Sequence, residues 1–159
     1  MKTNSGNRLF PGKGEFKSTP CIKALSRLPI IPPIASPLKH NEYPQNIFEQ
    51  GISVTRNGDE IIEIDSIACT ICDAGADFTR IRQVLDCILT GLGFNYEMVE
   101  FAHPSFITGR VARVFINKKE IAYIGEIHPL VLERLDLQTP VAAFELDLTG
   151  LFALGKKGL

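Results

Sequence analysis

The stretch Ala122-Tyr-Ile-Gly-Glu-Ile-His-Pro-Leu-Val-Leu-Glu-Arg-Leu-Asp-Leu-Gln-Thr-Pro-Val-Ala-Ala-Phe-Glu-Leu-Asp-Leu148 decides the fold. It reads as a strand, a short helix and a second strand. The first strand ends at His128-Pro129, because proline fixes φ and suits the first position of a helix. Leu130, Val131, Glu133 and Arg134 then give about two turns. Pro140 restarts an extended run. In it Ala142, Phe144, Leu146 and Leu148 face one way and Ala143, Glu145 and Asp147 the other, the period-two alternation of a strand.

Upstream, the same logic yields more strands and one long helix. Asn46 to Thr55 and Glu60 to Cys72 read as a hairpin across Arg56-Asn-Gly-Asp59, since Asn57-Gly58 tolerates positive φ. The apolar phase moves from Ile62 and Ile64 to Ile67, Cys69 and Ile71, which predicts a bulge near Asp65-Ser66. Asp77 is the expected N-cap of a helix from Phe78 to about Thr90, with Phe78, Ile81, Val84, Leu85, Ile88 and Leu89 in one stripe. Gly91 and Gly93 end it. Phe94, Tyr96 and Met98 alternate as a strand, a loop follows through His103-Pro104 and Gly109, and Arg110–Asn117 and Glu120–Ile127 form a second hairpin. The expected class is α+β: a mostly antiparallel sheet of about six strands with one long and one short helix.

Three collinear blocks carry a family resemblance: Glu42-Tyr-Pro-Gln-Asn-Ile-Phe-Glu49, Gly75-Ala-Asp-Phe-Thr-Arg-Ile-Arg-Gln-Val-Leu85, and Gly125-Glu-Ile-His-Pro129 with Pro140-Val-Ala-Ala-Phe-Glu-Leu-Asp-Leu148. Over roughly residues 38–151 the chain resembles the catalytic-like domain of the β subunit of phenylalanyl-tRNA synthetase, archaeal or eukaryotic type. The resemblance implies a partial class II synthetase fold and a non-catalytic structural role beside an α-type catalytic subunit. ATP and magnesium belong to the family's complete enzyme, so no cofactor is expected in this chain, and tRNA is expected to be met only indirectly. A class II site needs fixed positive charge at the phosphate. Here Asn46 stands where relatives tend to have arginine, and no arginine follows Arg134, so the chain alone is expected to be inactive. Other readings are a stand-alone binding domain holding a small molecule or a protein, or a truncated product.

The organisation expected is a proline-rich, weakly ordered leader over 1–37, a folded domain over 38–151 and a tail over 152–159. Seven of the ten prolines lie at or before Pro44, and Pro29, Pro32, Pro33 and Pro37 break the region where the family has an interface helix. That loss predicts exposed apolar surface, and with it binding to an α-type subunit or self-association. The leader carries no apolar signal segment and no run long enough to span a bilayer, so the expected setting is the cytoplasm, with no membrane. A net charge of −1 and a pI near 6.3 argue against a broad nucleic-acid footprint.

Candidate site residues are few. Glu126, Glu145, Asp147 and His128 form the polar cluster that could hold a metal; Glu145 and Asp147 share a strand face by spacing, and a solvated face explains them as well. His103 and His128 each precede a proline and could act as base or ligand, or cap a turn. Arg110, Arg113, Lys118 and Lys119 could touch phosphate, or simply charge a hairpin. Cys69 and Cys72 make a C-x-x-C, but on a strand their spacing puts them on opposite faces, so buried thiols without zinc are expected.

Overall fold

The structure, a computed structural model, describes Leu38, residues 42–57 and residues 60–155. The leader before Leu38 and the Gly58-Asp59 turn tip lie outside the described residues. Six strands form one sheet: β1 (Gln45–Asn57), β2 (Glu60–Cys72), β3 (Glu97–Glu100), β4 (Phe106–Ile116), β5 (Lys119–Ile127) and β6 (Val141–Asp147). Helices α1 (Phe78–Gly91), α2 (Pro129–Arg134) and α3 (Leu148–Gly155) accompany them. The order across the sheet is β1-β2-β6-β5-β4-β3, and every neighbouring pair is antiparallel. The α+β reading therefore holds, with a third helix added.

That third helix crosses the boundary expected at residue 151. It follows from Asp147, whose Oδ1 accepts a hydrogen bond from the Gly150 amide at 2.6 Å and starts the turn that a plain continuation of the strand would miss. Glycine at position 150 leaves room for the Asp147 carboxylate and the Lys119 ammonium, which a Cβ there would push aside.

The bulge expected near Asp65-Ser66 is absent, since β1 and β2 pair without a register shift from Gln45↔Cys72 to Asn57↔Glu60. The cover changes there instead. β6 pairs with β2 only from Ser66 to Cys72, and just beyond its end the Thr149 hydroxyl of α3 accepts from the Asp65 amide at 2.9 Å. A bulge does occur on β4, between Phe106 and Val111, where Gly109 has φ +77°. The segment expected as loop around Gly109 is thus part of a bent strand. The third strand also begins later than the alternation suggested, at Glu97.

One face of the sheet carries Ile71, Ala112, Val114, Ile124, Ala142, Phe144 and Leu146 against α1 and α3. Ile81, Leu85 and Leu89 of α1 are fully buried there, as the stripe predicted, and Asp77 Oδ1 caps the helix by accepting from the Arg80 amide. The other face carries Ala68, Cys72, Val111, Ala143 and Val141 against Phe106, α2 and Leu38. Gly125 makes this second core possible: a Cβ there would sit 2.7 Å from the Phe106 ring and 2.8 Å from the Arg110 carbonyl oxygen. At the β4–β5 turn, Asn117 and Lys118 both take positive φ, the backbone of a two-residue hairpin.

Candidate functional site

Alternation along β5 places Glu126 on the α1 face, next to the start of that helix. One carboxylate oxygen accepts from the Phe78 amide at 2.9 Å, and the other from Arg110 Nη1 at 2.7 Å. Glu126 is 8% exposed, and its charge satisfies a helix-terminal amide that has no partner within the helix. The same carboxylate raises the affinity of Arg110 for its proton. This is a latch between β4, β5 and α1.

On the opposite face a row of mutually paired positions crosses the sheet: Val99, Arg113, Tyr123, Glu145, Ala68 and Glu49. The Arg113 guanidinium lies 3.8 Å from the centre of the Phe101 ring and 5.8 Å from that of Tyr123, and bonds Glu120 at 3.2 Å. Phe101 also meets His103, whose ring meets Phe106 edge-on at 5.6 Å. His103 Nδ1 accepts from the Ser105 amide at 3.2 Å, which makes it a turn cap. Glu145 lies buried in the middle of the row.

The four polar candidates therefore do not converge. Glu126 and Glu145 lie on opposite faces of the sheet, because their partners Ala142 and Tyr123 belong to opposite phases of the two strands. Glu145 and Asp147 do share a face, but Asp147 caps α3. His128 is the N-cap of α2, its Nδ1 accepting from the Leu130 amide. Among the described residues no three His, Cys, Asp or Glu side chains are grouped to hold a metal ion. Two of these carboxylates already serve backbone amides, Glu126 that of Phe78 and Asp147 that of Gly150.

The cysteines separate as the spacing requires. Cys69 packs with the α1 core and Cys72 with the α2 core. Burial pushes both thiols up, Cys72 to about 11. Asp73, close to this strand end, is held below the usual carboxylate range by Arg80, at 2.7 Å. Arg110 and Arg113 each pair with a glutamate, and Lys118 sits in the hairpin turn.

The sequence reading missed one feature and expected a second, exposed apolar surface, without its place. An open groove of about 520 Å³ runs between α1 and the β1–β2 hairpin, lined chiefly by Cys69, Ile71, Val84 and Ile88 with Asn46 and Arg80. Beyond it Phe48, Ile52, Val54 and Ile61 stand exposed. Their alternation was visible, but nothing in a sequence says which face of an edge strand lacks cover.

Residues 29–148 match the family model of the phenylalanyl tRNA synthetase beta chain CLM domain. The chain belongs to this family. The match starts ahead of the boundary expected at Leu38. The chain is 41% identical over 129 residues to the phenylalanine–tRNA ligase beta subunit of Thermococcus gammatolerans, covering 79% of this chain and 22% of that subunit. It is 38% identical over 129 residues to that of Pyrococcus horikoshii, covering 79% and 23%. For Methanocella arvoryzae the values are 40% over 135 residues, covering 82% and 24%. The chain thus spans less than a quarter of these relatives. In fold it is similar to the pyrrolysyl tRNA synthetase PylSc of Desulfitobacterium hafniense, with TM-score 0.62 and 16% identity over 82% of this chain and 49% of that one. A crystal structure of pyrrolysyl-tRNA synthetase from the same organism gives 0.65 and 16% over 81% and 48%. The chain shares the fold of these synthetase structures, and the described helices include none long and apolar enough to cross a membrane.

Proposed function

We propose that this domain is a non-catalytic, structural module of a cytoplasmic phenylalanine–tRNA ligase, seated beside an α-type catalytic subunit that binds ATP, magnesium and phenylalanine. The family match over residues 29–148 carries this reading. The ion pairs of helix α1 and strand β4 support it. Acyl-adenylate formation needs preorganised cations at the phosphate, and here Arg80, Arg82, Arg110 and Arg113 are each engaged by a carboxylate of the same chain. Contact with tRNA is indirect, through the complex.

Co-purification with an α-type catalytic subunit tests the reading. The expected result is a stable complex with a melting temperature above that of the isolated chain, and no ATP–pyrophosphate exchange by the chain alone. Exchange activity in the purified chain, or no complex with an α-type subunit at any concentration, overturns it.

A further inference from the structure

The two edges of the sheet differ. Edge strand β3 has four residues, and two of them are Glu97 and Glu100. Short length and charge are the usual protection of an open edge. Edge strand β1 has thirteen residues and pairs, among the described residues, only with β2. From Gln45 to Val54 it has no proline and one charge, Glu49, and its pairing with β2 has no bulge. On a single face, where α1 and α3 do not reach, Phe48, Ile52 and Val54 of β1 and Ile61 of β2 are 74%, 64%, 65% and 69% exposed. Among the described residues, an unprotected edge thus coincides with an uncovered apolar face.

We propose that this edge is a homotypic interface, at which β1 of one copy pairs antiparallel with β1 of a second copy to continue the sheet. A two-fold contact must be self-complementary, and β1 meets that condition when the axis passes through Gly51. Phe48 then lies across from Val54 of the second copy, and Gln50 across from Ile52. Glu49 lies across from position 53, so the only charge between Gln45 and Val54 does not oppose itself. Phe48, Ile52 and Val54 stand on this edge and flank one another across the junction, while Ile61 lies one strand further in. These side chains alone fall short of the ~800 Å² per partner of a standard interface. The backbone of a strand about 40 Å long supplies further area and a row of hydrogen bonds. A reversible dimer of moderate affinity follows. This interface is independent of the ligase reading, and its failure leaves that reading intact.

Sedimentation equilibrium of the whole chain over a wide concentration range tests the interface, with hydrogen exchange reporting on β1. The expected result is a monomer–dimer equilibrium in which alternate β1 amides become protected as the dimer forms. Ile52→Lys should weaken dimerisation at least tenfold with the melting temperature of the monomer unchanged, whereas Val99→Lys on the opposite edge should leave it intact. A monomer at every concentration overturns the proposal, as does a dimer insensitive to Ile52→Lys. Protection of β1 only when an α-type catalytic subunit is added also overturns it, in favour of a heterotypic contact.

Discussion

Glu126 shows how a polar residue in a suggestive position becomes structural once its surroundings are known. It holds the Phe78 amide and Arg110 together. Glu126→Ala leaves the Phe78 amide without its acceptor and should cost about 2–3 kcal/mol, measured by urea denaturation. Glu126→Gln keeps an acceptor oxygen for that amide and loses only the charge opposite a largely exposed arginine, so its cost should be about 1 kcal/mol. The sequence offered Glu126, Glu145, Asp147 and His128 as one cluster because they lie close along the chain. Their separation depends on the register of β5 against β6, which no local pattern encodes. The cysteines were legible, since an odd spacing on a strand always divides two side chains between its faces. Cys87 is exposed, Cys69 half-buried in the groove wall and Cys72 buried, so a thiol reagent at neutral pH should label Cys87 quickly, Cys69 more slowly and Cys72 only on unfolding. The folded state holds the Cys72 proton up to about 11, against 9.0 for an ordinary thiol. Its contribution to stability is therefore complete below pH 9 and lost as pH climbs through 11, and Cys72→Ala should flatten that alkaline decline.

At the scale of elements, helix α1 was the most legible part. Its cap, stripe and glycine stop are all local signals, and Asp77, Ile81, Leu85 and Leu89 take the places those signals give them. The β4 bulge and helix α3 were not legible. Gly109 looked like loop chemistry because a glycine marks a bend and a turn equally well, and Leu148-Thr-Gly-Leu has too few residues for a helical period to show. Gly125 was quoted for its motif, whereas its function in the fold is to leave room for the Phe106 ring. Two of the three close contacts at its virtual Cβ are with backbone atoms of β4, which cannot rotate away. Gly125→Ala should therefore destabilise by roughly 2–3 kcal/mol, seen as a lower denaturation midpoint with an unchanged slope. Phe106→Leu in the same background, by removing part of the obstruction, should recover a portion of that loss.

For the molecule as a whole, the sheet order was beyond local reading. Consecutive hairpins would suggest a simple meander, yet the last strand enters between β2 and β5. Six of its seven residues, Val141 to Leu146, are buried, and Phe144 sits in the core that α1 closes. Phe144→Ala should cost about 3–5 kcal/mol, by removing a fully buried ring from the centre of both packing and pairing, and calorimetry should show a markedly lower melting temperature. The central place of β6 also has a consequence for synthesis. A ribosome makes the β1–β2 hairpin and the β3–β4–β5 meander long before it makes the strand that joins them. Until Val141–Asp147 leaves the exit tunnel, the nascent chain holds two half-sheets with raw edges at β2 and β5. Those edges are waiting for a strand that neither half contains, which is the state a chaperone would be expected to guard.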